Sequence, residues 1–377
     1  MNITNHHRAL IGLLQVPNFG VRTARLLLKK TGVKDARDIF RLSVPDLMKI
    51  DGVGKERAVS LTKFDDWSTV DRIIDQTRRS GAQLLALSDP AYPPLLKQIF
   101  DPPIILWVRG NPEALNQPGL AVIGTRNPGR YGLEQTEKWS AKICEHGLSV
   151  YSGLAYGVDS KAHRTAVSNG GTTIAVLGSG IDRIYPSRNQ KLAADIVASG
   201  GAVVSEYPPG TKPDAANFPE RNRIVSGLSL GTFVIESGIK GGSMITARLA
   251  LDQNREVFVV PHQLGYMKGE GCNYLIRTGQ GKLVQSLDDI LEELPSITSN
   301  GRDREAPGVA SSKKWESDDS LTETEQDLCR SIGDESLHID SLAEKMQTEP
   351  FKLSSLLLNL EMKGIIRQKA GKYFELK

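Results

Sequence analysis

Five strings concentrate the residue types that can grip an anion. The first, Gly124-Thr125-Arg126-Asn127-Pro128-Gly129-Arg130-Tyr131-Gly132, follows an apolar run and opens a helix. A dinucleotide fingerprint needs glycine two residues after its first, where the backbone must approach a pyrophosphate. Arg126 stands there instead, and an arginine fork beside backbone amides suits a phosphate better than a nicotinamide cofactor. The second, Ser152-Gly153-Leu154-Ala155-Tyr156-Gly157-Val158-Asp159, runs from a strand end into a helix containing His163. It reads either as a ligand loop or as a plain turn with Asp159 as helix N-cap. The third, Gly178-Ser179-Gly180, lacks the rest of the fingerprint, because Arg183 occupies the place of its last glycine.

The fourth string is the most distinctive: Asn217-Phe218-Pro219-Glu220-Arg221-Asn222-Arg223-Ile224-Val225-Ser226-Gly227. A phenylalanine followed by two arginines around an asparagine is the set single-strand binders use, with Phe218 on a base and Arg221 and Arg223 on phosphates. Phe218 also reads as a core residue fixing the helix entry. The fifth, Glu236-Ser237-Gly238-Ile239-Lys240-Gly241-Gly242-Ser243-Met244-Ile245-Thr246, follows a strand and opens a helix, so its amides face outward for an anion. No Gly-Lys-Ser/Thr closes it, which excludes a P-loop.

Catalytic patterns are sparse. The six histidines show no metal-ligand spacing, and no Gly-x-Ser-x-Gly elbow occurs. His163, Asp159 and Glu236 could form an acid/base set, but the sequence does not fix their mutual geometry. The expectation is a binding protein rather than an enzyme, without catalytic residues, metal or cofactor.

The elements that must hold these strings are legible as apolar runs. Gln83–Leu87, Ile104–Val108, Leu120–Gly124, Leu148–Tyr151, Thr173–Gly178, Ala202–Ser205, Thr232–Glu236, Glu256–Val260 and Lys282–Val284 are mostly apolar throughout, as strands buried on both faces are. Leu133–Glu145, Lys161–Asn169, Asn189–Ser199 and Ser243–Asn254 suit crossover helices. The pattern predicts an α/β, Rossmann-like, doubly wound and mostly parallel sheet over residues 67–295. Residues 1–66 read as a helix-hairpin-helix-like domain, with hairpins at Asn18-Phe19-Gly20 and Gly52-Val53-Gly54 whose amides could meet a phosphate. Residues 296–320, polar and rich in Ser, Gly, Asp and Lys, read as a flexible linker. Residues 321–377 read as a winged helix, with three helices and a hairpin turning at Gly371.

Charge adds a hint. Of 377 residues with net charge +3, residues 1–64 carry 12 Lys and Arg against 5 Asp and Glu. That excess on a near-neutral body suits a polyanion. The last domain carries 8 basic and 10 acidic residues, which favours protein interaction over duplex reading. Three scattered cysteines and no signal-like or bilayer-length apolar segment point to the cytoplasm, away from membranes.

The ordered set of strings resembles the DNA-processing protein A family (DprA, also called Smf). The resemblance rests on Gly124-Thr125-Arg126 with Tyr131-Gly132, Ser152-Gly153-Leu154-Ala155 with Gly157 and Asp159, Thr173–Gly180 with Tyr185-Pro186, Phe218–Arg223, and Gly241-Gly242-Ser243 with Ile245-Thr246-Ala247. Many members carry serine where Thr125 stands, a change that keeps the hydroxyl. The resemblance implies a homodimer that holds single-stranded DNA and loads the RecA recombinase onto it, in natural transformation and recombination. It implies DNA contacts at Gly124, Thr125, Arg126, Ser152, Gly153, Phe218, Arg221, Asn222, Arg223, Gly242 and Ser243. Arg126 and Arg223 would hold phosphate, and Ser152, Gly153, Gly242 and Ser243 would line the groove. A competing reading is a nucleotide hydrolase of the lysine-decarboxylase-like superfamily, whose Pro-Gly-Gly-x-Gly-Thr-x-x-Glu segment is missing from Ser237–Thr246.

Overall fold

The computed structural model describes residues 3–33, 35–294, 321–333, 337–369 and 373–376. The chain divides into two compact units, Met1–Ser299 and Asn300–Lys377. The first begins with helices α1 (Asn5–Gln15), α2 (Val21–Thr31), α3 (Val44–Met48), α4 (Lys55–Thr62) and α5 (Trp67–Arg79). A capping box between Thr4 and His7 starts α1, and Gly52, at φ +89°, makes the turn before α4.

Then follow β1 (Gln83–Ala86), α6 (Pro94–Lys97), β2 (Ile105–Gly110), β3 (Gly119–Ile123), α7 (Arg130–Glu145), β4 (Ser149–Ser152), α8 (Val158–Ser168), β5 (Thr173–Leu177), α9 (Gln190–Ala198) and β6 (Ala202–Ser205). The chain continues through α10 (Asn217–Gly227), β7 (Gly231–Val234), α11 (Gly242–Asp252), β8 (Glu256–Val259), α12 (Glu270–Arg277), β9 (Lys282–Leu283) and α13 (Asp288–Leu291). Each strand lies within two residues of the limits its apolar run predicts.

These strands form one sheet in the order β1-β2-β6-β5-β4-β3-β7-β8-β9, with β6 through β9 parallel and β1 and β2 added antiparallel at the edge. Burial on both faces explains the unbroken apolar runs. In β3, Leu120 and Val122 join Trp139, Ile143 and Phe233 on one face, while Ala121 and Ile123 join Ile224, Met244 and Ala247 on the other. The strand order reverses beside β3: the chain winds outward from β3 to β6, then returns through α10 to lay β7 on the opposite side of β3. The loops leaving β3 and β7 therefore part around a crevice at the carboxyl ends of the strands, where open α/β sheets receive ligands.

The N-terminal helices are not isolated from the sheet. Leu10, Leu27, Ile39, Leu61 and Ile73 share one apolar core with Leu84, Ile105 and Trp107, and the Trp107 indole donates to the Thr77 hydroxyl at 2.9 Å.

The second unit holds α14 (Glu323–Ile332), β10 (Leu337–His338), α15 (Ile339–Lys345), α16 (Pro350–Met362), β11 (Ile366–Lys369) and β12 (Tyr373–Leu376), with strand order β10-β12-β11. Three helices over a small antiparallel sheet, closed on Leu328, Leu342, Leu357 and Phe374, make a winged helix. The linker expected at 296–320 and the turn at Gly371 lie outside the described residues. Among the described residues no helix is long and apolar enough to cross a membrane.

Candidate nucleic-acid interface

The crevice at the reversal point has a volume of about 640 Å³. Its walls bring together Gly124, Thr125 and Arg126 after β3, Gly153 after β4, Phe218, Arg221 and Asn222 of α10, and Gly242 and Ser243 of α11. Four strings spread over 120 residues thus meet because each leaves the same edge of the sheet. Tyr185, for which the sequence predicts no contact, also lines the crevice.

Close packing explains the glycines. A Cβ on Gly124 would fall 2.5 Å from a Val158 methyl, and one on Gly153 would fall between the Arg221 guanidinium and the Asp159 carboxylate. The loop after β3 is pinned by its backbone: the Thr125 amide donates to the Glu236 carbonyl at 2.7 Å, and the Val158 amide donates to the Thr125 carbonyl at 3.2 Å. That leaves Arg126 exposed at the crevice mouth, with no carboxylate paired to it among the described residues. Its guanidinium lies 5.6 Å from the centroid of Phe218, whose ring is 5.5 Å from that of Tyr185. Phe218 answers both readings of its role. Half-buried, it fits over Gly178, where a Cβ would meet the ring at 2.8 Å, yet it still lines the crevice.

Opposite Arg126, α11 begins at Gly241 with no side-chain cap. The amides of Gly242 and Ser243 have no partner among the described residues, and both residues line the crevice. The Ser243 hydroxyl is held by Ser237 at 2.7 Å. A helix terminus without a cap, facing an unpaired guanidinium, favours negative charge between them.

Arg221 behaves differently. It is 4% exposed, and its Nη1 donates to the carbonyls of Gly153, at 2.7 Å, and Val176. Burial lowers its pKa to about 10, with Asp159 opposing that shift and Arg126 adding to it. Asp159 is not the N-cap of α8; Gly157 holds that position. The Asp159 carboxylate reaches back instead to the amides of Gly153 and Ala155, at 3.2 and 3.3 Å, and burial raises its pKa against the pull of Arg221. Arg221 and Asp159 therefore brace the crevice floor from within.

Three expectations need correction. Arg223 does not face the crevice: Glu206 takes its two terminal nitrogens at 2.9 and 2.6 Å, and Asp101 takes Nε at 3.0 Å. Burial works against its charge, but the two carboxylates outweigh this and hold its pKa above the ordinary range. Ser152 is wholly buried and donates to the Val122 carbonyl at 2.7 Å, so it lies beneath the groove. The start of α7 is already occupied, because Glu236, fully buried, accepts the Gly129 amide at 2.9 Å. None of these could be read locally, since each partner lies 17 to 122 residues away.

The Glu236 carboxylate is thus turned toward α7, outside the crevice lining. His163 is sealed in the interior against Thr173. The acid/base set of Asp159, His163 and Glu236 does not converge on the crevice: only Asp159 lines it.

The model of the DNA recombination-mediator protein A family matches residues 83–295, and that of the DprA winged helix domain matches residues 312–372. Protein Smf of Escherichia coli (strain K12) is 39% identical over 298 residues, covering 78% of this chain and 77% of that protein. DNA processing protein DprA of Bacillus subtilis (strain 168) is 41% identical over 225 residues, covering 59% and 75%. Two solved structures are similar in fold. DNA processing protein A from Streptococcus pneumoniae has a TM-score of 0.65 at 32% identity, covering 78% of this chain and 99% of that one. The Helicobacter pylori protein, described by its single-stranded DNA binding mode, has 0.51 at 30%, covering 58% and 98%.

Proposed function

The chain belongs to the DNA recombination-mediator protein A family, and from that premise we propose that it holds single-stranded DNA in the crevice between β3 and β7. The observation that carries this is the unpaired Arg126 guanidinium lining one crevice with the uncapped start of α11 and the neighbouring rings of Phe218 and Tyr185. Arg126 and Asn222 take phosphate oxygens together with the amides of Gly242 and Ser243. Phe218, beside Tyr185, offers a base its ring face. A duplex keeps its bases stacked away from such a platform, so single strands bind more tightly. Arg221 sets the position of the Gly153 turn and does not itself touch DNA.

The role is binding without turnover: of Asp159, His163 and Glu236 only Asp159 lines the crevice, and its carboxylate accepts from the amides of Gly153 and Ala155. The family's description as a recombination mediator supports delivery of the bound strand to a recombinase, and we infer that the recombinase is RecA and that the protein acts as a cytoplasmic homodimer. Natural transformation is one setting for this exchange.

Arg126→Ala is expected to weaken oligothymidine binding about 10- to 100-fold, the range for losing a hydrogen bond to a charged group. For the unaltered protein, log affinity falls linearly with log salt by about 0.7 per phosphate engaged. Fluorescence anisotropy over a salt series, with single- and double-stranded oligonucleotides, measures both. Equal affinity of Arg126→Ala and the unaltered protein for the single strand rejects the crevice as the site.

A further inference from the structure

The crevice does not close at α10. Pro219 and Ile245 line it and also line a second depression of about 810 Å³, whose opposite wall is the N-terminal helical region. That wall presents Arg22 and Arg25 from α2 and Arg57 from α4. Arg22 and Arg57 are exposed and Arg25 is half-buried. The carboxylates lining it are Asp101 and Glu206, both engaged by Arg223, and Glu220, which accepts from the Tyr207 hydroxyl at 3.4 Å; among the described residues none of the three forms an ion pair with Arg22 or Arg25. Arg57 folds over the glycine turn before α4, its Nη1 donating to the Gly52 carbonyl at 3.1 Å.

An aromatic ring stands beside these cations. Next to Asp101 the chain displays Phe100, 89% exposed, and the Arg25 guanidinium lies 5.5 Å from its centroid. Guanidiniums that form no ion pair, beside a bare aromatic face, repeat the chemistry of the crevice, where Arg126 lies by Phe218. Loose cations on a flat surface would be ordinary solvated charge. Here they line a concave wall continuous with a site of the same kind, which suits a flexible chain of phosphates.

We propose that this depression is a second contact surface for the same single strand: the DNA leaving the crevice crosses Pro219 and Ile245, lays phosphates on Arg22, Arg25 and Arg57, and stacks a base on Phe100. The inference rests on the crevice holding single-stranded DNA, and it assigns the N-terminal helices a direct share in binding. It also accounts for the basic excess of residues 1–64.

Oligothymidines of about 4 and about 20 nucleotides, spanning the roughly 4–16 nucleotides a single-strand-binding fold occupies, separate the two surfaces. With the full chain, the Arg22→Ala/Arg25→Ala double variant binds the short oligonucleotide as the unaltered protein does. It binds the long one about tenfold more weakly, and its salt slope falls by about 1.4, which is two lost phosphates at about 0.7 each. Phe100→Ala, an exposed change that leaves the core untouched, weakens the long oligonucleotide about 5- to 100-fold, the range for one stacked base, without altering the slope. Unchanged affinity and slope for the long oligonucleotide in both variants, or equal losses at both lengths, overturns the second surface while leaving the crevice intact. If the unaltered protein binds neither length, the crevice reading fails, and the extension with it.

Discussion

Arg221→Met lowers the unfolding free energy of the first unit by about 3–5 kcal/mol, the range for removing one partner of a buried ionic contact. The guanidinium is the buried countercharge of Asp159 and the donor to the carbonyls of Gly153 and Val176. Methionine fills much of the volume but donates nothing. It leaves a carboxylate inside the protein without its countercharge, and two carbonyl oxygens short of a partner. A urea titration reads the loss directly, and Arg126→Ala is the contrast. That side chain is exposed and unpaired, so its removal stays within about 0.5 kcal/mol. Adding Asp159→Asn to Arg221→Met should recover part of the loss, since the neutral amide no longer needs a countercharge. Equal stability of Arg221→Met and the unaltered protein would show that Asp159 draws no support from Arg221.

That contrast marks where sequence reading stopped. Arg126 sits in the loop after β3, and Arg221 and Arg223 sit on α10, and locally nothing marks which of them is neutralised. What separates them is the company brought by the fold. Asp159 lies 62 positions before Arg221 in the chain, and Asp101 lies 122 before Arg223, so the carboxylates that neutralise two of the three are invisible to local pattern. The sheet itself was legible because β3, β7 and β8 are covered on both faces, and two-sided burial writes an uninterrupted apolar run. Their carboxyl-end loops were legible for the same reason: glycine is required where backbone, Val158 and Glu236 crowd the turn at Gly124.

The second depression was not legible, because it joins residues near position 22 to residues near position 220 across a core the helices share with the sheet. Composition gave only its sign, through the basic excess of the first 64 residues. Phe100 carried no signal at all. In a stretch that also holds Ile99, Ile104 and Ile105, an apolar residue looks like one more core position, and only the structure shows it standing in solvent.

His163 makes the first unit acid-sensitive. The imidazole is wholly buried on α8, and burial, with Arg221 adding to it, lowers its pKa to about 3. The Thr173 hydroxyl gives its proton to the Val150 carbonyl at 2.7 Å, so it accepts from His163 Nδ1 at 2.6 Å and the ring is neutral. Nε2 is buried without a partner, so no acceptor is in place there for a second proton. In the unfolded chain the same ring titrates near 6.5. Stability fully present above pH 6.5 is therefore lost as the pH falls toward 3, at up to about 1.4 kcal/mol per pH unit. Asp159 works in the opposite sense: its raised pKa lets the folded state take up a proton first, adding stability on acidification. Comparison with His163→Phe isolates the imidazole, because the variant keeps Asp159 and loses only the titrating ring. Between pH 6 and pH 4 the unaltered protein should lose about 2.5 kcal/mol more than His163→Phe, as measured by urea unfolding at each pH. Parallel pH profiles for the two proteins would mean that His163 is reached by protons without unfolding, and that the interior around α8 opens in the native state.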